Sequence, residues 1–160
     1  MREIRAAAQG AGEEAMMTLK VELKPGERMI LGECVVTNGS QRTRLTIEGA
    51  MPILREKDIM TPDLADTPAK RLYLAVQLMY TSRDPKAHHE IYFTLMRDIV
   101  QAAPTTWSYI GDINNHILMG NLYKALREAK KLIEYEGKIL AHAQRHPGLR
   151  KGSKTDRDTA

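Results

Sequence analysis

Cysteine is almost absent from this chain: Cys34 is the only one among 160 residues. An intrachain disulfide is therefore excluded, and a reducing compartment fits. With no partner cysteine and no nucleophile context, Cys34 reads as a small buried apolar residue in a strand. Aromatic residues are sparse at 5%, although 42% hydrophobic content is enough for a core. No apolar run approaches the roughly 20 residues that span a membrane. The N-terminus lacks the apolar stretch of a secretory signal, so a cytoplasmic protein is expected.

Blocks of like charge are missing too. The 24 basic and 20 acidic residues leave a net +4. Residues 18–60 hold seven basic and six acidic side chains, and residues 146–160 hold four and two. Such mild basicity does not by itself imply nucleic acid, so any polyanion site must come from local arrangement. There is no Gly-rich phosphate loop, no G-x-S-x-G and no paired zinc-ligand motif. His88 and His89 are adjacent and point to different helix faces. His142 and His146 stand four apart, but no third ligand is near and Pro147 follows. They read as solvated. No catalytic residue, metal or cofactor is expected, and the chain does not read as an enzyme.

The length supports one domain or two small ones. Residues 1–17 are Ala/Gly/Glu-rich and read as a disordered or weakly helical extension, at whose end Met16-Met17, just before the first patterned segment, offer a later start. Residues 18–60 read as five short strands. Leu19, Val21 and Leu23 alternate with Lys20, Glu22 and Lys24, the period of a half-buried strand. Lys24-Pro25-Gly26-Glu27 is a turn. Met29-Ile30-Leu31 is stopped by Gly32. Cys34–Thr37 is expected to pair with Arg42–Ile47 across Asn38-Gly39, the strongest short hairpin signal. On that strand Thr43, Leu45 and Ile47 share one face, and Arg42, Arg44, Thr46 and Glu48 the other.

Thr67 is a candidate N-cap and Pro68 a good first helical residue. That helix would carry Leu72, Val76, Met79 and Tyr80 on one stripe. Asp84-Pro85 opens a second helix by the same logic, with Ile91, Leu95 and Ile99 on one face. Pro104-Thr105-Thr106 starts a third with Ile110, Ile113 and Ile117. The fourth, about 121–145, spaces Leu122, Leu126, Ala129, Ile133, Glu136 and Leu140 by three and four. Gly137 inside it suggests a close contact, at a cost of roughly 1 kcal/mol against alanine. On this helix Lys130, Lys131 and Lys138 are expected to pair with Glu134 and Glu136. Residues 146–160 read as a disordered tail. The fold class is α+β: a small antiparallel five-stranded unit (18–60), then a helical region of about four helices (61–145).

The segment Pro52-Ile53-Leu54-Arg55-Glu56-Lys57-Asp58-Ile59-Met60 stands out. Four of its nine residues are charged, between apolar flanks. It reads as a short edge strand with a charged exit that holds a basic residue on a rigid frame. Lys20, Lys24, Arg28, Arg42, Arg44, Arg55 and Lys57 all lie on strands or strand ends. Such residues can meet phosphates or base edges, or they are ordinary exposed charges balanced by Glu22, Glu27, Glu33, Glu48, Glu56 and Asp58.

Three motifs in order, Leu23-Lys24-Pro25-Gly26-Glu27, Ile53–Met60 and Lys131-Leu132-Ile133-Glu134-Tyr135-Glu136, resemble the FlbT family of flagellin regulators. The resemblance spans about residues 18–145. It implies association with the 5′ untranslated region of flagellin mRNA, decay of that message and repressed translation, although in some relatives the effect on flagellin is positive, so the sign stays open. It also implies a small partner, FlaF. The β unit alone is similar to CsrA, an RNA-binding repressor that forms an intertwined dimer. By position Arg55 matches the essential arginine of that family, and Lys24 one of two basic residues closing its first strand. The other falls on Leu23. The similarity implies an RNA grip through Arg55, Lys24 and Lys20, and a homodimer; Lys57 and Arg44 join the RNA-binding candidates as basic residues on a strand or strand end. The alternative is a protein-interaction module. The long helix, through Lys131, Glu134, Tyr135 and Glu136, would then dock flagellin, FlaF or a second copy. No membrane role is implied.

Overall fold

The computed structural model describes residues 18–145. The extension and the tail expected at either end, and His146 with Pro147, lie outside them. The fold is α+β, with five antiparallel strands followed by four α-helices.

Strands β1 (Thr18–Leu23), β2 (Arg28–Leu31), β3 (Cys34–Thr37) and β4 (Thr43–Glu48) form one long hairpin folded over at its middle. Thr18 stands opposite Glu48 and Leu23 opposite Thr43. Further along, Arg28 stands opposite Thr37 and Leu31 opposite Cys34. Residues 24–27 bend one arm and residues 38–42 the other. The second arm has one residue more, so the bend acts as a bulge. The two halves fold together over Val21, Leu23, Met29 and Ile47, with Leu19, Leu31, Val36, Leu45 and Ile53 around them. The alternation expected for β1 and β4 holds: Lys20 and Arg44 point outward, Val21 and Ile47 inward.

The pairing of β3 with β4 across Asn38-Gly39 does not form. Strand β3 pairs with β2, and β4 with β1. The physical reason lies in the Asn38 side chain. Its amide donates to the carbonyls of Leu23 at 3.1 Å, Lys24 at 2.8 Å and Gln41 at 2.8 Å. Its Oδ1 accepts from the Gly39 N–H. Asn38 thus fastens the bend instead of turning a two-residue loop. The reversal comes at Gly32-Glu33, where Gly32 has φ +63° and an added Cβ would stand 3.2 Å from Met51 Cε. The Lys24–Glu27 turn forms as expected, with Gly26 at φ +71° and Glu27 N–H donating to Lys24 O. Cys34 is exposed, not buried, because β3 is the outer strand of the order β3-β2-β5.

The other edge of that sheet is β5 (Ile53–Arg55), paired with β2 and followed by a single 3₁₀ turn, Glu56–Asp58. The edge-strand reading of 52–60 is correct. Helix α1 (Pro68–Thr81) follows, with Thr67 Oγ1 accepting from Lys70 N–H and Pro68 in the first turn. Its buried stripe is Leu72, Tyr73, Val76 and Met79. A 3₁₀ turn (Pro85–His88) leads into α2 (His89–Ala102), and another (Pro104–Thr106) into α3 (Trp107–Leu118). Asp84 supplies no side-chain cap. On α2 Tyr92 and Ile99 are buried while Ile91 is exposed. Tyr92 takes the inward position and hydrogen-bonds Asn114, which rotates Ile91 out. Gly120, at φ +74°, ends α3: Gly120 N–H reaches Ile117 O and Asn121 N–H reaches His116 O.

Helix α4 (Leu122–Arg145) runs antiparallel to both α1 and α3. Tyr123 lies beside Tyr80, and Tyr135 stacks on Tyr109 at 4.8 Å. Its buried residues are Ala125, Leu126, Ala129 and Leu132. The apolar stripe expected to reach Leu140 stops early. Beyond Glu136 the helix passes the first turn of α1, where Glu136 accepts from Ala69 N–H at 2.9 Å, and Leu140 is exposed. Gly137 meets nothing within 4 Å of an added Cβ, so it marks no close contact. No helix among the described residues is long and apolar enough to cross a membrane.

Candidate functional site

The segment 52–60 is the joint between the ribbon and the helices. Tyr80 Oη on α1 accepts from Ile53 N–H at 3.1 Å and also lies 3.4 Å from Ile53 O. Tyr73 Oη donates to Asp58 O at 2.6 Å. Gln77, a buried polar side chain, closes both ends of one residue: it accepts from Met60 N–H at 2.7 Å and donates to Met60 O at 2.9 Å. Three side chains of one helix, at spacings of four and three, thus satisfy backbone groups that no strand partner reaches. From α4, Lys130 Nζ pairs with Asp58 Oδ1 at 2.6 Å. Burial pushes the phenols of Tyr73 and Tyr80 above their ordinary range, which keeps both neutral.

At the bend the charged residues converge. Arg55 Nη2 donates to Glu22 O at 2.8 Å and to Glu27 Oε1 at 3.1 Å. Glu27 Oε2 accepts from Lys24 N–H at 2.8 Å. On the outer face Glu22 pairs with Arg42 at 2.6 Å and Arg44 at 3.7 Å. The Arg42 hydrogen bond, with the charges of Arg42, Arg44 and Arg55, holds the Glu22 carboxyl below the usual range. The Lys24 amide and then the Arg55 guanidinium do the same for Glu27. Arg28 lies 3.5 Å from Glu56.

These contacts sort the sequence candidates. Lys24 and Arg55 meet at the bend. Arg44 and Lys20 share the outer face of β1 and β4. Lys57 stands apart, in a cleft lined by Asp58, Ile59, Met60, Tyr73, Lys130, Ile133 and Glu134. Lys20, Lys24 and Lys57 are exposed and make no ion pair among the described residues. Arg55 is 28% exposed and braces the bend. Both its bonds come from Nη2, so Nε and Nη1 keep their donors.

The candidates on α4 separate. Lys131 and Glu134 face solvent, while Tyr135 and Glu136 turn inward. Tyr135 Oη bonds Thr105 Oγ1 at 2.8 Å, and Glu136 caps α1. The expected pairing of lysines with Glu134 and Glu136 is absent among the described residues; Lys131 pairs with Glu128 and Lys130 with Asp58. Sequence reasoning missed Asn38, Tyr73, Gln77 and Lys130. The one available signal was Gln77, a polar residue inside an apolar helical stripe.

A model of the family described as flagellar protein FlbT matches residues 19–140. The chain belongs to the FlbT family. Among similar proteins is one from Bradyrhizobium diazoefficiens named probable flagellum biosynthesis repressor protein FlbT 1. It is 54% identical over 145 residues, 90% of this chain and 99% of that protein. The FlbT of Rhodopseudomonas palustris is 48% identical over 125 residues, 78% of this chain and 99% of that one. The flagellum biosynthesis repressor protein FlbT of Caulobacter vibrioides is 37% identical over 129 residues, 79% of this chain and 92% of that one. No solved structure matches the chain significantly.

Proposed function

We propose that this chain represses flagellum biosynthesis after transcription, by associating with the 5′ untranslated region of flagellin mRNA in the cytoplasm. Covering the ribosome site or exposing the message to nucleases then lowers translation. The observation that carries the repressor role is the 54% identity, over 90% of the chain, to a protein named probable flagellum biosynthesis repressor. The ribbon supports the RNA step. Lys20, Lys24 and Lys57 are unpaired and sit on a framework pinned at the bend and at the joint. Arg55 adds a guanidinium with donors to spare, and Arg44 an exposed charge. The unpaired lysines give up no intrachain ion pair when a phosphate replaces water.

The test is titration of a labelled flagellin leader with the full chain at several salt concentrations. About four ribbon contacts to single-stranded RNA predict a slope of log affinity on log salt at least as steep as about −2.8. Combined Lys20→Gln, Lys24→Gln and Lys57→Gln should flatten it and relieve repression in cells. A wild-type chain that leaves the leader unshifted at every salt concentration contradicts the RNA step.

A second reading is a protein-interaction module for flagellin, FlaF or a second copy. Trp107, 61% exposed, and Leu118, 83% exposed, favour it as apolar anchors on α3. Co-purification of the full chain with FlaF or flagellin, lost on Leu118→Asp, would support it; no co-purifying partner at micromolar concentration would reject it.

A further inference from the structure

Helix α4 turns its buried residues, Ala125, Leu126, Ala129 and Leu132, toward α1 and α3. The opposite face carries Lys124, Arg127, Lys131, Lys138 and Arg145, all exposed. Their intervals of three, four, seven and seven residues place them on one line along the helix. With a rise of about 1.5 Å per residue the line is roughly 31 Å long. Lys124, Arg127, Lys138 and Arg145 make no ion pair among the described residues, and Lys131 pairs with Glu128 at 2.9 Å. Glu134 is the one acid on the line. A face drawn from a chain with 24 basic and 20 acidic residues would ordinarily mix the signs. This one does not. Glu134 also lines the cleft that holds Lys57 and Lys130, so the line runs beside a ribbon cation at the joint.

We infer that this face of α4 is a second RNA-binding surface, which tracks the phosphate backbone of the strand held by the ribbon. The inference rests on the RNA reading above and locates contacts that reading does not include. A row of cations on a rigid helix binds phosphates without reading sequence. The α4 face would therefore supply affinity and direction along the strand, leaving discrimination to the ribbon.

The experiment uses the full chain, the labelled flagellin leader and a 20-nucleotide uridine strand. Lys124→Gln, Arg127→Gln, Lys138→Gln and Arg145→Gln are combined; all four positions are exposed and glutamine is a good helix former. With helicity unchanged by circular dichroism, the salt slope should flatten by about 2.8 on both RNAs, at about 0.7 per lost contact. Glu134→Lys, which removes the single acid, should steepen it by about 0.7 and tighten binding. Unchanged slopes in both variants, with binding lost in the lysine variant of the ribbon, overturn the α4 inference and leave the RNA reading standing. No binding by the wild-type chain overturns both. Loss of repression in cells at unchanged RNA affinity assigns the face to a protein partner and also overturns the inference.

Discussion

Four side chains make the buried centre of the β ribbon, against fifteen in the cluster that the helices share with Leu54 of β5. So few buried residues cannot hold a bent two-layered hairpin against its chain entropy. The ribbon is instead fastened by polar pins: Asn38 and Arg55 at the bend, and Tyr73, Gln77 and Tyr80 at the joint. The helices hold themselves by packing; the ribbon is held by hydrogen bonds, several of them from α1. One consequence is functional. Acids drawn into pinning, Glu22 and Glu27, answer Arg42, Arg44 and Arg55, and the nearby lysines are left unpaired.

The contrast can be broken at graded cost. Ile113→Ala empties a fully buried site between helices and should cost about 2–5 kcal/mol in urea unfolding. Gln77→Ala leaves the Met60 N–H and carbonyl without partners, at about 1–3 kcal/mol. Exchange of the Met60 and Ile53 amides should then speed up before that of the helical core. If the two regions exchange together, the joint is not the weak point. Asn38→Ala removes three donor contacts at a largely exposed bend where water can substitute. It should cost about 1 kcal/mol and disturb NMR shifts in β1 and β4 while sparing α3. Gly137→Ala should raise stability by up to about 1 kcal/mol, since nothing crowds the new methyl. The smallest effect concerns pH. Glu22 and Glu27 bind protons less readily folded than unfolded, so their contribution is present above the ordinary value of 4.5. It is lost as pH falls through their lowered folded values. Glu27→Gln should make the acid limb of a stability–pH curve shallower; an unchanged limb would show that the bend carries no electrostatic load.

The helices were largely legible in the sequence. Thr67-Pro68 and the stripe Leu72-Val76-Met79 announce α1, because capping and 3.6-residue periodicity are local. The ribbon was legible in its strands and not in its pairing. Asn-Gly favours a hairpin by local φ preference, yet the Asn38 side chain reaches carbonyls about 15 residues away, which no local rule registers. Cys34 was misplaced for the same reason: whether a short strand is central or at an edge depends on that pairing. At the candidate site, Lys20 and Arg44 point outward as their alternation predicts. The engagement of Arg55 with Glu22 and Glu27 appears only once the bend brings them together.

Direct contact with RNA is the step on which the proposed repression turns. Crosslinking this chain to RNA in growing cells, followed by mapping of the protein and RNA sites, tests it most directly. The prediction is crosslinks to the flagellin leader at peptides holding Lys20, Lys24 or Lys57, with further ones along 124–145. Recovery of the chain crosslinked to protein alone, with no flagellin leader, would contradict it.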